Sequence, residues 1–346
     1  MSVALESTTP AKSTHRVEVV RLPDLKPHPN ADTLSLVHLF GGGFQCIVRT
    51  ADWQPGQLAA FVPPDSVVPD SPTFAFLNGK NRIRVTRLRG LLSMGLLVPA
   101  PEGANEGDDV AEALGVLHYE PPVKWAGIGG GKGNGCADAI PGPSGIHLPK
   151  YDLESLRRYG AALAEGETVY VTGKIHGANG RWIFWEGEMY AGSRSFWRKE
   201  DPASPWWKAL KANPEVELFC RQNPGLAVWG EVYGDVQEFR YGHKPGSLDI
   251  AVFDVYDAAK GEFASSEWLF GAADDHALPL VPLIYVGSFR PDAAFQEWPE
   301  GPSLIPDAGH VREGCVVKPA VERHDGRCGR VALKVVGAGY YERAKS

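Results

Sequence analysis

A lysine at the end of an apolar strand is the feature of the sequence that most suggests chemistry. Lys174 closes the segment ETVYVTGK and is followed by Ile175, His176 and Gly177. A lysine amine becomes a nucleophile when burial beside other cations lowers its pKa. The KxHG pattern alone does not decide the matter, because a lone lysine of this kind is more often a solvated residue at a strand edge.

Further polar residues follow Lys174 in an order that one chemistry requires. They lie at the ends of β-rich segments: Ser193 and Arg194 in AGSRSF, Glu231 in VWGEVYG, Phe253 in LDIAVFDVYD, Glu313 and Lys318 in EGCVVKP, and Lys334 in VALKVVG. Guanidinium and ammonium groups bind phosphate, carboxylates hold magnesium, and aromatic rings stack on bases.

This ordered set resembles motifs I, Ia, III, IIIa, IV and V of the covalent polynucleotide ligases. The RNA ligase 2 branch is most similar, through KIHGAN, GEVYG and VFDVY, and the resemblance covers residues 147–340. It implies an ATP-grasp-like nucleotidyltransferase domain built of antiparallel sheets with helices. It also implies an ATP-dependent RNA ligase in which Lys174 attacks the α-phosphorus of ATP, forms lysyl-AMP and releases pyrophosphate.

The resemblance implies a role for each matching residue. Four of them are implied to be catalytic, namely Lys174, Glu231, Glu313 and Lys334. Contacts to ATP or AMP are implied for Lys318 and Lys334 at the α-phosphate, Arg194 at a phosphate, Glu231 at the ribose hydroxyls and Phe253 at adenine. Glu313 is the candidate ligand for Mg²⁺ or Mn²⁺, which prefer carboxylate oxygen and water.

Two further residues lie at family positions close to the phosphates, His176 and Asn179. In the family, residues at these positions assist adenylylation or transfer of AMP to the RNA end. The structural alternative is that His176 caps a turn and Asn179 makes a local backbone hydrogen bond.

The sequence departs from the family pattern at two places. Gly173 stands where related ligases carry an acidic residue directly before the nucleophile. Motif V normally has two lysines two positions apart. If Lys334 matches the first, Val336 replaces the second, and if Lys334 matches the second, Ala332 replaces the first. Either alignment removes one cation from the expected phosphate site.

The N-terminal half predicts a separate module. Residues 17–118 contain short β-rich segments separated by turn sequences, which favours a small OB-like β-barrel. HPNADTLSLVHL and the following strands resemble OB-fold modules of the tRNA-binding type, and RIRVTRLRGLLSMGLLVP is similar to a segment of Deinococcus-type RNA ligases. The expected fold class is therefore α+β, with this barrel ahead of the nucleotidyltransferase domain.

These patterns predict four segments: a disordered tail at 1–16, an OB-like module at 17–120, a Gly/Pro-rich linker at 121–146 and a nucleotidyltransferase domain at 147–346. In the last segment we expect a helix over 152–164 with Asp152 as N-cap, and helices near 205–212 and 265–277.

A basic cluster in the N-terminal module is a candidate nucleic-acid contact. It consists of Arg82, Arg84, Arg87 and Arg89. Arg82 and Arg84 are two residues apart and would share one face of a strand, where they could follow a phosphate backbone. A solvated strand face explains the cluster equally well.

Composition excludes several classes of protein. The formal net charge of −7 argues against coating of nucleic acid through bulk charge. The five cysteines form no CxxC pair, which disfavours a zinc site or a disulfide framework. The N-terminus lacks an apolar signal-peptide core, and no apolar run is long enough for a membrane helix. We expect a soluble cytoplasmic protein without a membrane or an obligate protein partner.

The resemblance predicts that the substrate is RNA, or an RNA-containing duplex, with 3′-OH and 5′-phosphate ends, sealed most naturally at nicks. A GTP-dependent mRNA guanylyltransferase would use the same lysine chemistry with an OB domain behind the core, and only twelve residues follow Lys334. A third hypothesis is an RNA- or tRNA-binding protein with an inactive nucleotidyltransferase domain.

Overall fold

The computed structural model describes residues 15–119 and 138–343. The chain divides between residues 120 and 121 into two compact units. The predicted tail at 1–16 lies outside the described residues except for its last two positions. Within the described ranges, no helix has both the length and the apolar content that a bilayer crossing requires.

The N-terminal unit is built from short strands. They are β1 (Glu18–Arg21), β2 (Lys26–His28), β3 (Ala31–Leu39), β4 (Phe44–Arg49), β5 (Leu58–Val62), β6 (Ser66–Val67), β7 (Thr86–Leu88), β8 (Leu91–Ser93), β9 (Leu96–Pro99) and β10 (Leu117–His118). They pair antiparallel as β1-β5-β9, β2-β3-β4, β6-β10 and β7-β8. Alternate residues of β5 face two different apolar clusters, so this strand lies between them.

The predicted basic strand is shorter than expected. Only residues 86–88 form a strand, and Arg82 contributes an isolated bridge to Val67. Ile83 and Val85 are buried while Arg84 is exposed, so the expected alternation of faces is present without continuous pairing.

The C-terminal unit contains more and longer elements. Its strands are β11 (Ala139–Ile140), β12 (Glu154–Ser155), β13 (Thr168–Lys174), β14 (Ala178–Trp185), β15 (Glu188–Ser193), β16 (Trp197–Arg198), β17 (Leu226–Gly234), β18 (Leu248–Asp257), β19 (Glu262–Phe263), β20 (Leu283–Ser288), β21 (Gly314–Pro319), β22 (His324–Asp325), β23 (Gly329–Arg330) and β24 (Leu333–Val336). Its helices are α1 (Leu156–Tyr159), α2 (Pro205–Ala212), α3 (Pro214–Gln222), α4 (Ser266–His276), α5 (Pro291–Gln296) and α6 (Ala338–Arg343).

Two sheets form the frame of this unit. The larger has the order β11-β16-β15-β14-β17-β18-β19, and the smaller has the order β12-β24-β21-β13-β20. Helices α2, α3 and α4 cover one face of the larger sheet around Trp182. Helices α1 and α5 contribute to the apolar cluster on one face of the smaller sheet. Successive side chains of a strand point to opposite faces, so the polar residues of these strands, such as Lys174 and Glu231, lie on the other face of each sheet.

A β-bulge shapes the polar face of the larger sheet. On β18 the pairing with β17 shifts between Trp229 and Gly230, so Phe253 is an extra residue between paired Val252 and Asp254. A bulge of this kind re-aims the neighbouring side chains. As a result Phe253 is partly buried among aromatic residues, and Asp254 points away from the helices.

A buried cluster of charges joins the two sheets. Asp254 on β18 is fully buried and accepts hydrogen bonds from Lys318 on β21, at 3.1 Å, and from both terminal nitrogens of Arg330, at 2.8 and 3.1 Å. The Tyr151 hydroxyl donates to it at 2.6 Å. Burial opposes the charge of Asp254, but Arg330 and Lys318 outweigh this effect and hold its pKa below the ordinary value.

Two expectations about local structure differ from the structure. The helix expected over 152–164 is reduced to α1 and a 3-10 turn at Gly160–Ala162, because Glu154 and Ser155 pair in parallel with β24. Asp152 does not cap it and instead forms ion pairs with Lys150 and Arg194. The helices expected near 205–212 and 265–277 are present as α2 and α4.

The predicted linker at 121–146 is described only from residue 138. That described part is packed against the larger sheet: β11 pairs with β16, and Asp138 forms a 2.6 Å ion pair with Arg198. The backbone carbonyl of Ser144 accepts a hydrogen bond from the Trp185 indole. Residues before 147 therefore contribute to the larger sheet.

We predict that Asp254→Asn destabilises the protein by about 3–5 kcal/mol, because it leaves the buried Lys318 amine without a countercharge and leaves Arg330 with Glu322 alone. Denaturant unfolding monitored by fluorescence measures the loss. The matched control is Glu217→Gln, which removes an exposed ion pair with Arg221 and should cost less than about 1 kcal/mol. Equal losses in the two variants would contradict the role of Asp254.

Candidate active site

The site centres on the last residue of β13. The Lys174 amine donates a hydrogen bond to Glu313 Oε1 at 2.7 Å, and Glu313 directly precedes the neighbouring strand β21. Glu313 is buried, and its second oxygen, Oε2, has no hydrogen-bond partner among the described residues. A buried carboxylate oxygen without a partner is costly, so this position is suited to a ligand that supplies a donor or a cation.

Three lysines share one face of the smaller sheet. Strand register places Lys174 opposite Gly314, Lys334 opposite Val316, and Lys318 opposite Tyr170. On β21 the three positions concerned, Gly314, Val316 and Lys318, are two residues apart. The side chains of the three lysines therefore leave the sheet on the same side. Burial, and next the charge of Lys174, lower the pKa of Lys334, which is consistent with two amines close together.

Lys318 is already engaged in the Asp254 cluster. Its amine donates to Asp254 Oδ1 and, at 2.9 Å, to the backbone carbonyl of Phe253, and only 5% of its side chain is exposed. The structure therefore places Lys318 at the junction of the two sheets. Lys334 is the other lysine expected to contact the α-phosphate. Unlike Lys318, it forms no ion pair within residues 15–119 and 138–343.

The larger sheet supplies the opposite wall. Glu231 on β17 lies directly across from Asn179 on β14 and from Ala251 on β18, so the three side chains share a face. Asn179 Oδ1 is buried and has no hydrogen-bond partner in the described ranges. The site thus contains two buried oxygen acceptors without partners, on Glu313 and on Asn179.

Glu231 carries the most perturbed carboxyl group of the site. Burial raises its pKa to about 8, and the nearby charge of Glu313 also raises it, while Lys174 and Arg194 lower it. The nearby backbone N–H of Gly177 also lowers it. A strongly shifted titratable group beside a candidate nucleophile is typical of a functional site.

Arg194 and Phe253 lie at the edges of this arrangement. Arg194 follows β15 and forms a 2.9 Å ion pair with Asp152. Its charge is near enough to act on Glu231. The Phe253 ring packs at 4.7 Å from the Tyr151 ring, measured between centroids, and is partly buried.

The turn after Lys174 is held closely against β17. A methyl group on Gly177 would overlap the Val232 carbonyl oxygen, so only glycine fits there without a shift. The Gly177 carbonyl accepts from the Gln237 amide at 2.5 Å, and the His176 N–H donates to the Tyr241 hydroxyl at 2.7 Å. These contacts fix the position of His176 relative to Lys174.

The two departures from the ligase pattern have different structural settings. A Cβ on Gly173 would lie 3.6 Å from the Pro282 carbonyl oxygen, which is ordinary van der Waals contact, so packing does not require glycine there. In β24, Lys334 and Val336 share the face of Lys174, and Val336 is level with Gly314. The alternation extends to Ala332, so both candidate positions for the missing lysine lie on that face.

The residues fit a divalent cation that keeps other ligands. In the described ranges, no group of three or more His, Cys, Asp and Glu side chains is arranged to hold a metal ion. Magnesium, however, is commonly bound by one or two carboxylates together with substrate phosphates and water. The unpartnered Oε2 of Glu313 provides such a carboxylate oxygen.

Sequence reasoning missed several residues that shape the site: Tyr151, Gln237, Tyr241, Asp254, Arg330 and Tyr340. Asp254 had a detectable signal, since it is an acidic residue inside the apolar run LDIAVFDVYD. The others come from loops and the C-terminus, where no local pattern marks them.

We predict that Glu231→Gln stabilises the fold above neutral pH. A carboxyl group whose pKa is raised by folding binds its proton more tightly when folded, so its contribution to stability falls as the pH rises from its ordinary value towards about 8. The variant should melt about 2–4 °C higher than wild type at pH 8, corresponding to roughly 1 kcal/mol, with a smaller difference at pH 5. Thermal melts at both pH values test this, and a lower melting temperature at pH 8 would contradict it.

Comparison with known proteins agrees with this geometry. Residues 167–336 match the model of the RNA ligase family. Residues 16–100 match the model of an OB-fold domain. No curated protein sequence matches the chain.

Solved structures of Naegleria gruberi RNA ligase share the fold. The structure with pyrophosphate has a TM-score of 0.78 at 23% identity, covering 95% of this chain and 98% of that one. Variants with ATP and Mn and with AMP and Mn each have a TM-score of 0.79 at 22% identity, covering 95% of this chain and 98% and 99% of those chains. The predicted α+β fold with an N-terminal OB-fold module is confirmed. Residues 167–336 therefore form an RNA ligase domain, with an OB-fold module ahead of it in the chain.

Proposed function

We propose that this protein joins RNA ends with ATP and that Lys174 carries AMP between the nucleotide and the RNA. The observation that carries the proposal is the Lys174 amine, held 2.7 Å from Glu313 at the end of β13 and close enough to the half-buried Glu231 to lower its pKa. The match of residues 167–336 to the RNA ligase family supports it, and so do the fold relatives that were solved with ATP, AMP or pyrophosphate.

In the first step, the Lys174 amine in its neutral form attacks the α-phosphorus of ATP. A nitrogen–phosphorus bond forms, the bond to the bridging oxygen breaks, and pyrophosphate leaves. Catalysis of such transfers consists mostly of positioning and charge stabilisation. Lys334 lies on the same sheet face as Lys174, and the β21 residues opposite the two lysines are two positions apart. Lys334 is the cation that neutralises the α-phosphate.

The opposite wall binds the nucleoside. Glu231 and Asn179 present oxygen acceptors to the ribose hydroxyls, which supply the donors that the unpartnered Asn179 Oδ1 lacks. Phe253 contributes an aromatic surface for adenine at the bulge of β18. Lys318 acts indirectly, because it anchors the Phe253 carbonyl and Asp254 rather than a phosphate.

A divalent cation belongs at Glu313. When bound, Mg²⁺ or Mn²⁺ supplies charge neutralisation for phosphate oxygens. Glu313 would hold it through Oε2 while its Oε1 keeps Lys174 in place.

Transfer to RNA completes the reaction. AMP passes from Lys174 to the 5′-phosphate of one RNA end, and the 3′-OH of the other end then displaces AMP and forms the phosphodiester bond. We assign phosphate binding at two points to Arg194, which lies at the edge of the site and pairs with Asp152. Nicks in duplexes with an RNA 3′-OH strand are the proposed substrate, and an RNA repair role follows from that.

The OB-fold module contributes nucleic-acid contacts through its basic segment. Arg84, Arg87 and Arg89 are exposed, whereas Arg82 forms a 2.7 Å ion pair with Asp65 and stacks on Tyr119. We therefore assign phosphate binding to the three exposed arginines and a structural role to Arg82.

Incubation with α-labelled ATP and magnesium, followed by denaturing electrophoresis, tests the proposal. We expect wild type to retain label covalently, Lys174→Ala to lose it, and the exposed-lysine control Lys199→Ala to keep it. ATP should be the only one of the four nucleotides that labels the protein. Absence of label, with protein shown by mass to carry no AMP beforehand, would favour an RNA-binding protein with an inactive ligase domain.

Replacement of Arg84, Arg87 and Arg89 by alanine should weaken RNA binding without changing adenylylation of Lys174. Each lost phosphate contact lowers the slope of log affinity against log salt by about 0.7–0.9, so the triple variant should lose about two to three. Binding titrations over a range of salt measure this. Arg21→Ala, in an exposed ion pair of the same unit, is the control, and an unchanged slope in the triple variant would contradict the assignment.

A further inference from the structure

The C-terminal helix contacts the turn behind the nucleophile. Tyr340 on α6 places its hydroxyl 3.0 Å from Nδ1 of His176, which lies two residues after Lys174. The Phe239 ring packs edge-on against His176, with centroids 5.1 Å apart, and lies 5.7 Å from the Tyr340 ring. The imidazole is therefore enclosed by two aromatic rings and bonded through one nitrogen.

Helix α6 is itself held in place. Both carboxylate oxygens of Glu300 accept from its first backbone N–H groups, at 2.5 Å from Ala338 and 3.2 Å from Gly339. Just before the helix, the Gly337 N–H donates to the Glu313 carbonyl at 2.9 Å. The helix is thereby fixed to the same residue that pairs with Lys174.

The backbone of His176 is fixed separately. Its N–H donates to the Tyr241 hydroxyl, and the Tyr241 ring lies near His310 and Tyr233 in a different part of the unit. With the backbone held by Tyr241, the remaining freedom of His176 is rotation of the ring and the choice of protonated nitrogen. The hydrogen bond that one ring nitrogen makes determines which tautomer is present.

We infer that Tyr340 is a positioning residue for His176, fixing the orientation and tautomer of its imidazole during AMP transfer. The inference rests on the proposed function, because it assigns His176 a part in one of the transfer steps. Tyr340 does not contact the reacting atoms and acts only through the imidazole. Helix α6 thus belongs to the catalytic machinery although it lies beyond the matched ligase model.

A double-mutant cycle tests the inference. Wild type, Tyr340→Phe, His176→Ala and the double variant are compared in two single-turnover assays, formation of lysyl-AMP from ATP and transfer of AMP from isolated lysyl-AMP enzyme to a 5′-phosphorylated RNA. We expect Tyr340→Phe to slow the step that His176→Ala slows, by about three- to tenfold, as for loss of one hydrogen bond. The double variant should be no slower than His176→Ala, because the two side chains act as one unit.

Controls separate this outcome from a loss of structure. Tyr341→Phe, on the same helix, should match wild type in both assays, and thermal melts should show all variants folded at the assay temperature. Tyr340→Phe with wild-type rates, or a loss that adds to that of His176→Ala, would overturn the inference, as would His176→Ala active in both steps. Failure of wild type itself to form lysyl-AMP would instead overturn the proposed function, and this inference with it.

Discussion

The fully buried carboxylate of Asp254 is the constraint on which the rest of the ligase unit depends. It lies on the larger sheet and balances Lys318 and Arg330 from the smaller sheet and its following hairpin. Without this anion the buried Lys318 would lose its countercharge and Arg330 would keep only Glu322, so the cluster holds only when the sheets stay at one separation. That separation sets the distance between the wall with Lys174 and the wall with Glu231.

Given this frame, the site follows from strand alternation. The polar residues of the site occupy alternate positions on one side of each sheet, with aromatic and apolar residues beside them, and the opposite sides are sealed by apolar clusters under the helices. Charged groups are partly withdrawn from solvent here: burial raises the pKa of Glu231 to about 8, and one buried oxygen of Glu313 has no partner among the described residues. Such unfavourable features in a folded protein indicate a site completed by its substrate.

Much of this arrangement was predictable from sequence. Motif order predicted Lys174, Glu231 and Glu313, and the β-rich run beside each was visible, although only Lys174 ends its strand: Glu231 lies inside β17, and Glu313 precedes β21. The helix expected over 152–164 was wrong because Glu154 and Ser155 join a sheet whose partner strand lies far along the chain. Lys318 shows a related limit: its phosphate contact stays a prediction, whereas its contact with Asp254, which is distant in sequence, was not predicted. No sequence pattern marks Tyr340, because its contact with His176 depends on the path of the C-terminal segment.

Three lysines on one sheet face, Lys174, Lys334 and Lys318, make the identity of the nucleophile the central claim. Peptide mass mapping of wild-type protein after incubation with ATP and magnesium tests it most directly. The account predicts a single AMP group, bound through nitrogen, on the peptide that contains Lys174. AMP on Lys334 or Lys318, or on no lysine while RNA is still sealed, would contradict it.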